Sequence, residues 1–127
     1  GEYAALTVAG VFDFDTGLSL VQARALAMDE ASQSPPHAPQ AMLSVAGIVK
    51  ETLAELCAEV SRSKGGAVCQ IANELFPKGC TCAGTKEAIE ALKELVDKRG
   101  ALQAKVLRTP SAFHTSFMKP AREKLER

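Results

Sequence analysis

The chain has no tryptophan, one tyrosine and no net charge, since 15 Lys and Arg residues balance 15 Asp and Glu residues. Zero net charge removes the electrostatic footprint of a protein that binds nucleic acid or an anionic membrane. No apolar run reaches the roughly 20 residues that a membrane-spanning helix needs, because glycine and small polar residues interrupt the longest candidates. We therefore expect one globular domain with neither a nucleic acid nor a membrane as its partner.

Common catalytic motifs are also missing. The sequence contains no GxSxG nucleophile elbow, no Walker loop, no GxGxxG fingerprint and no HExxH zinc motif. A chain of 127 residues can bury about two-thirds of its unfolded surface, so its core needs no disulfide or metal. Function must then be inferred from single residues in unusual places.

The four cysteines match neither a zinc-finger spacing nor a small disulfide framework. Cys57 lies on an apolar helical face and Cys69 in an apolar run, so both are predicted to be small core residues. Cys80 and Cys82 would point to one side of a strand. A metal or redox site at that pair is the less favoured alternative.

Residues 1–39 are predicted to be a helical segment that ends in a proline-rich linker, Ser32–Pro39. Gly10 ends a short first helix, and Asp13 or Asp15 can cap a second one. The apolar residues of this second helix go almost all the way round it, which predicts burial on most sides. The linker holds His37, which we expect to be a solvated loop residue.

Arg24 is out of place in the second helix. Leu20 and Met28 lie one turn on either side, so the guanidinium emerges from an apolar stripe. A snorkelling side chain, a structural ion pair and a binding role are all compatible with this position.

Residues 40–109 follow the order strand, helix, strand, strand, helix, strand. This order predicts an α+β, ferredoxin-like split β-α-β arrangement, an antiparallel sheet with both helices on one face. Thr85 is a suitable cap for the second of these helices, and Gly100 ends it. The predicted strands are Ala41–Gly47, Val68–Ala72, a weaker Cys80–Ala83 and Gln103–Leu107. Many unrelated functions share this fold.

Residues 110–127 contain His114, followed by a charged helix from about Ser116. His114 lies between Phe113 and Phe117, where the chain leaves the predicted sheet. A histidine between aromatic residues is more often structural than catalytic, so the residue alone does not decide its role.

Six stretches, in order and spacing, closely resemble the malonyl-CoA:acyl carrier protein transacylases, over essentially the whole chain. They are Gly1–Leu6 (GEYAAL), Val21–Arg24 (VQAR), Ala41–Gly47 (AMLSVAG), Ile71–Pro77 (IANELFP), Gly84–Ala88 (GTKEA) and Ser111–Thr115 (SAFHT). The Asn-x-Leu-Phe-Pro stretch looks more like the mitochondrial-type eukaryotic members than the bacterial ones.

The resemblance implies a fold of two subdomains with the active site in the cleft between them. Residues 40–109 would be the smaller ferredoxin-like subdomain, inserted into a larger α/β-hydrolase-like one. Residues 1–39 would be a helical segment and linker of the larger subdomain, and residues 110–127 a catalytic loop and helix that return to it.

The resemblance also implies roles for five residues. Arg24 would pair with the free carboxylate of the malonyl group, which suits its planar fork of donors. His114 would be the catalytic base for a serine nucleophile and then the acid for the departing thiol. Phe113, Met28 and Asn73 would contact substrate, Phe113 at the position associated with malonyl selection.

The nucleophile itself is expected outside the chain. Gly1-Glu2 matches the last two residues of the family's GHSxGE motif, so the serine would lie two positions before residue 1. The chain alone is then expected to be inactive, and its native N-terminus, with any targeting peptide, to have been cut away. The substrates would be malonyl-CoA and the phosphopantetheine thiol of acyl carrier protein, with no cofactor or metal. The compartment would be a mitochondrion or plastid in a eukaryote and the cytoplasm otherwise.

Two other hypotheses remain open. The chain could be a free-standing ferredoxin-like module that binds acyl carrier protein or another partner without catalysis. The acidic surface of acyl carrier protein could then meet Lys119, Arg122 and Lys124 on the last helix. The chain could also be a decayed relative with no surviving role. Arg24 and His114 argue against a pure binding module, because both lie outside the ferredoxin-like region.

Overall fold

A computed structural model describes residues 1–33 and 39–127. The helices are α1 (Glu2–Val8), α2 (Phe14–Gln33), α3 (Lys50–Ser63), α4 (Lys86–Lys98) and α5 (Lys119–Leu125), with a 3-10 turn at Ser116–Met118. The strands are β1 (Gln40–Ala46), β2 (Cys69–Phe76), β3 (Gly79–Thr85) and β4 (Gln103–Leu107). The predicted loop position of His37 lies outside the described residues.

The four strands form one antiparallel sheet in the order β2-β3-β1-β4. The predicted order of strands and helices is therefore confirmed. The predicted third strand is present but is longer than Cys80–Ala83. Strand β3 extends from Gly79 to Thr85, pairs with a neighbour on each side, and is buried along nearly its whole length. Small residues suit this central position, since helices pack closely over them.

The sheet is covered on both faces. Helices α3 and α4 pack on one face, where Leu43, Leu53, Ile89 and Leu92 are completely or almost completely buried. On the other face a smaller cluster is formed by Met42, Ala83 and Ala112, with Leu107, Phe113 and Phe117 packed against it. The chain that follows β4 is thus attached to the sheet face opposite the two helices.

Both predicted helix caps are present. The Asp13 carboxylate accepts a hydrogen bond from the Thr16 N–H at 2.8 Å, so Asp13 rather than Asp15 caps α2. These hydrogen bonds from Thr16 lower the pKa of Asp13. The Thr85 hydroxyl accepts a hydrogen bond from the Ala88 N–H at 3.2 Å at the start of α4. Each cap satisfies a backbone donor that the first turn leaves free.

The predicted burial of α2 on most sides is not found. Of its apolar side chains only Ala27 and Ala31 are buried, and they pack on Ala121 of α5. Leu18 is 57% exposed and Leu26 is 55% exposed. A helix that is apolar all round needs neighbours all round, and the described elements packed against α2 are chiefly α1, the 3-10 turn and α5.

All four cysteines are buried free thiols, as predicted for Cys57 and Cys69. Cys80 and Cys82 both point into the core beneath the helices, and the Sγ atoms of Cys57 and Cys82 lie 3.9 Å apart. A hydrogen bond with Cys69 lowers the pKa of Cys57, but a hydrogen bond with Cys82 and burial outweigh it and raise the pKa to about 12. Among residues 1–33 and 39–127, no cluster of side chains could hold a metal ion.

Candidate functional site

A cavity of about 280 Å³ lies between α2, α5 and the loop that precedes the 3-10 turn. Four of the five predicted site residues line it, namely Arg24, Met28, Phe113 and His114. The rest of its wall comes from Met118, Ala121, Arg122, Leu125 and Glu126. Residues that are about 90 positions apart in sequence are thus brought to one cavity.

Helix α2 supplies the arginine. Arg24 and Met28 are four residues apart, so they project from the same side of the helix. The Arg24 side chain is exposed, and it forms no ion pair with any carboxylate in the described part of the chain. A structural ion pair, one of the alternatives raised by the sequence, is therefore not its role within these residues.

Arg24 also borders a second cavity, of about 270 Å³, on the other side of Phe113. Met28 and Phe113 line both cavities, and Asp29 and Ser111 line only this one. Arg24 thus lies at the junction of two open spaces whose walls are mainly apolar. A guanidinium in such surroundings is well suited to an anionic group on a small ligand.

His114 has a left-handed backbone conformation, with φ of +59°. This region is uncommon for residues other than glycine and persists where the surroundings impose it. Here Thr115 imposes it. Its hydroxyl donates to the Ala112 carbonyl at 2.7 Å and accepts from the Phe117 N–H at 3.3 Å. The tight turn directs the exposed His114 side chain into the cavity.

Two glutamines anchor the His114 loop to the sheet. The side-chain carbonyl of Gln40 on β1 accepts from the Ala112 N–H at 2.8 Å. The side-chain carbonyl of Gln70 on β2 accepts from the Ser116 N–H at 3.2 Å. These residues were not predicted, because a single glutamine at the start of a strand has no distinctive periodic signal. They hold the loop at both sides of His114 and limit its movement.

Asn73 does not line the cavity with the other four residues. It lies on β2 opposite Thr81, and Thr81 lies opposite Ser44 of β1. Paired residues point to the same face of a sheet, so the three form a polar row. That face is the one that carries Met42 and the His114 loop. Asn73 therefore shares a face with the loop while standing apart from the cavity itself.

The cavity brings a guanidinium and an imidazole together. Among the described residues that line it, none carries a hydroxyl or a thiol. Ser111 borders the neighbouring cavity, but its hydroxyl is buried without a hydrogen-bond partner in the described part of the chain. The arrangement can bind a carboxylate through Arg24 and accept a proton at the His114 imidazole.

No family model matches the chain. Among curated proteins, the mitochondrial malonyl-CoA-acyl carrier protein transacylase of Mus musculus is 40% identical over 126 residues, which cover 95% of this chain and 32% of the mouse protein. The malonyl CoA-acyl carrier protein transacylase of Bacillus subtilis is 34% identical, over 99% of this chain and 38% of that protein. The chain thus spans about a third of the length of the curated relatives it matches.

Solved structures give the same result. The malonyl CoA-acyl carrier protein transacylase of Coxiella burnetii superposes with a TM-score of 0.88 at 30% identity, over 98% of this chain and 38% of that one. A malonyl-transacylase in complex with a type II polyketide synthase acyl-carrier protein superposes with a TM-score of 0.88 at 35% identity, over the same shares.

Fold and sequence together show that the chain matches a segment of the malonyl-CoA-acyl carrier protein transacylases. Almost the whole of this chain is similar to about a third of the length of each of those proteins. This confirms the resemblance that the six stretches predicted. No helix among the described residues is long and apolar enough to cross a membrane.

Proposed function

We propose that this chain supplies the carboxylate-binding group and the catalytic base of a malonyl-CoA:acyl carrier protein transacylase. One observation carries the proposal, namely that Arg24 and His114 line the same cavity. The homologous transacylases support it, because their names specify the malonyl thioester and the acyl carrier protein. The same proposal assigns the fold to a ferredoxin-like small subdomain, residues 40–109, with flanking segments of an α/β-hydrolase-like large one.

Arg24 would hold the substrate by its free carboxylate. The guanidinium fork can form two parallel charge-assisted hydrogen bonds with that group. Phe113 and Met28 would form the apolar wall beside the acyl chain. Asn73, farther along the sheet face, would contact the rest of the substrate through its amide. The thioester carbonyl would then be held within reach of the base.

His114 would act as base and acid in turn. It takes the proton from a serine hydroxyl outside these 127 residues as the serine oxygen attacks the thioester carbon. The proton then passes to the coenzyme A sulfur as the carbon–sulfur bond breaks, which leaves a malonyl-serine ester. In the second half, His114 takes the proton of the phosphopantetheine thiol on acyl carrier protein, and that sulfur attacks the ester. The proton returns to the serine oxygen. The substrates are thus one thioester and one thiol, the malonyl group passes between two sulfur atoms, and the proposed chemistry requires no metal or cofactor.

The intact mass of a chimera tests this proposal. This chain would replace the matched segment of the mouse transacylase, so that the mouse protein supplies the flanking regions. Incubation with malonyl-CoA should add one malonyl group to the chimera, none to the 127-residue chain, and far less to a His114→Ala chimera. A malonyl adduct on the isolated chain would contradict the proposed site, since it would mean that one of its own serines or cysteines reacts.

The localisation remains part of the proposal. We infer a mitochondrion or plastid if the source is eukaryotic, and the cytoplasm otherwise. Two curated relatives that match over nearly the whole chain are named mitochondrial, which supports the first of these. Localisation of the tagged protein in cells of its source would test this inference, and a secreted or membrane-bound protein would contradict it.

A further inference from the structure

Within the described residues, the imidazole of His114 is held through the backbone of its loop alone. No hydrogen bond or ion pair with residues 1–33 or 39–127 fixes the ring itself, and the side chain is exposed at the cavity. A catalytic base must lie within hydrogen-bond reach of the proton that it abstracts. The position of the proposed base therefore depends on the contacts that fix the loop between Ala112 and Ser116.

Gln40 and Gln70 reach this loop from the sheet face on which it lies. Gln70 is paired with Ala83, and Ala83 is paired with Met42, so these three side chains share a face. Gln40 precedes Met42 by two positions on β1 and points to the same face. Strands β1 and β2 are separated by β3, so the two glutamines stand about 10 Å apart across the sheet. The loop is thus held from two separate strands.

The contact made by Gln40 is the shorter and the better shielded of the two. Its side-chain carbonyl lies 2.8 Å from the backbone nitrogen of Ala112, which is completely buried. The contact of Gln70 is 3.2 Å long and ends at Ser116, which is exposed. The backbone of Gln40 is itself fixed by pairing with Thr85 of β3. Because a hydrogen bond shielded from water is electrostatically stronger, we expect Gln40 to fix the loop more firmly than Gln70 does.

The other half of the Gln40 amide is unpaired within the described residues. Its Nε2 is buried without a hydrogen-bond partner, as is the Oγ of Ser111, the residue before Ala112. Burying an unpaired donor lowers stability, and a methionine of about the same length would avoid this loss. Stability alone therefore does not explain a glutamine at this position. What the glutamine adds is the hydrogen bond from its carbonyl half to the loop.

We propose that Gln40 is a positioning residue for His114 and that Gln70 assists it. This inference rests on the proposed function, in which His114 is the base. Without the Gln40 carbonyl, the buried Ala112 N–H would lose its partner, and the loop would have to move to bring that group to water. The imidazole, two residues farther along, would move with the loop. A displacement of about 1 Å can lower the rate of a catalysed step by about a hundredfold.

The rate at which the chimera with the mouse transacylase forms its malonyl adduct tests this role. In quenched-flow mass spectrometry, Gln40→Met should lower the maximal rate about tenfold, with malonyl-CoA and acetyl-CoA alike. The half-saturating concentration of malonyl-CoA should change less than about twofold, because Arg24 is untouched. Gln40→Glu keeps an acceptor oxygen at the same reach and should restore the rate to within about threefold of the unchanged chimera.

Two further variants complete this kinetic test. Gln70→Met should lower the maximal rate by only about two- to threefold, because its contact is longer and exposed. Gln103→Met is the matched control and should leave the rate unchanged. Gln103 is exposed, and it is paired with Ala46 on the same sheet face, at the end of the sheet far from the His114 loop.

Hydrogen exchange in the isolated chain tests the structural part without catalysis. The Ala112 amide should exchange at least about tenfold faster in Gln40→Met and stay protected in Gln40→Glu. The free energy of unfolding of Gln40→Met, measured by urea denaturation, should change little, since the variant exchanges one unpaired buried donor for another. A slower reaction at unchanged global stability distinguishes a positioning role from a structural one.

An unchanged maximal rate in Gln40→Met would overturn the proposal. A loss of rate that Gln40→Glu does not restore, or that is matched by a large loss of global stability, would overturn it as well. A chimera that forms no adduct even with Gln40 in place would contradict the proposed function instead. Exchange of the Ala112 amide would then still show whether Gln40 holds the loop, so the two failures are distinguishable.

Discussion

At the scale of single residues, the chain places reactive groups in two contrasting environments. The imidazole of His114 and the guanidinium of Arg24 are exposed to an open cavity. The thiols of Cys57, Cys69 and Cys82 are buried in the core beneath the helices. Exposure and surroundings, rather than residue type, therefore separate groups available for chemistry from groups that only fill space.

The buried thiols should be inert in the folded chain. The pKa of Cys57 is about 12, so at pH 8 its thiolate fraction is about a thousandfold or more below that of an ordinary cysteine. Hydrogen bonding to Cys57 and burial raise the pKa of Cys69 as well. We expect iodoacetamide, followed by mass spectrometry, to modify these residues only after denaturation. Rapid labelling of Cys57 in the native chain would contradict this expectation.

The left-handed conformation of His114 should reduce stability. Glycine adopts positive φ at little cost, whereas other residues pay about 1 kcal/mol or more. The free energy of unfolding of His114→Gly, measured by urea denaturation, should therefore be about 1 kcal/mol higher than that of His114→Ala. Both variants lack the imidazole, so the comparison isolates the backbone. Equal stability of the two variants would show that the loop is not strained.

At the scale of elements, local sequence determines most helix ends. Thr85 caps α4 through a hydrogen bond to the Ala88 N–H. Thr85→Ala should lower the free energy of unfolding by about 1 kcal/mol, because it leaves that donor without its partner. Thr85→Ser keeps an acceptor oxygen and serves as the control. Equal losses in both variants, measured by urea denaturation, would assign the effect to the lost methyl group instead of the cap.

The features that could be predicted from the sequence are those that depend on residues close together in the chain. The β-α-β-β-α-β order and both caps follow from local periodicity and from residues such as Asp13 and Thr85. The central place of β3 does not, since its pairing with β1 is non-local and its small residues carry a weak apolar signal. The pattern marks Arg24 and His114 as unusual, and the family resemblance supplies the roles predicted for them. The roles of Gln40 and Gln70 depend on contacts that only the folded chain brings together.

At the scale of the whole molecule, the sheet and its two helices form a complete core, whereas α1 and α2 do not. The exposed apolar residues of these two helices and of the turn between them include Val8, Val11, Phe14, Leu18, Leu20, Val21 and Leu26. Contiguous patches of this kind are uncommon on isolated globular domains and favour association. Helices α1 and α2 are thus the described part of the chain whose apolar side chains are least covered by other elements.

This patch should make the isolated chain self-associate. We expect sedimentation velocity to show a weight-average mass that rises with concentration. Phe14→Ser/Leu18→Gln should suppress that rise, because both side chains are more than half exposed on α2. Leu75→Gln, at a residue of similar exposure on β2, is the matched control and should leave it unchanged. A monomer at all concentrations would contradict the expectation.

The proposed role of Arg24 has the most direct test of all. In the chimera with the mouse transacylase, Arg24→Ala should reduce kcat/KM for malonyl-CoA by at least about a hundredfold, since a charge-assisted pair with the carboxylate is worth roughly 3 kcal/mol. Acetyl-CoA has no free carboxylate, so its kcat/KM should change little. Arg62→Ala, at an exposed arginine on α3, is the control. Equal losses with both thioesters would show that Arg24 does not bind the malonyl carboxylate.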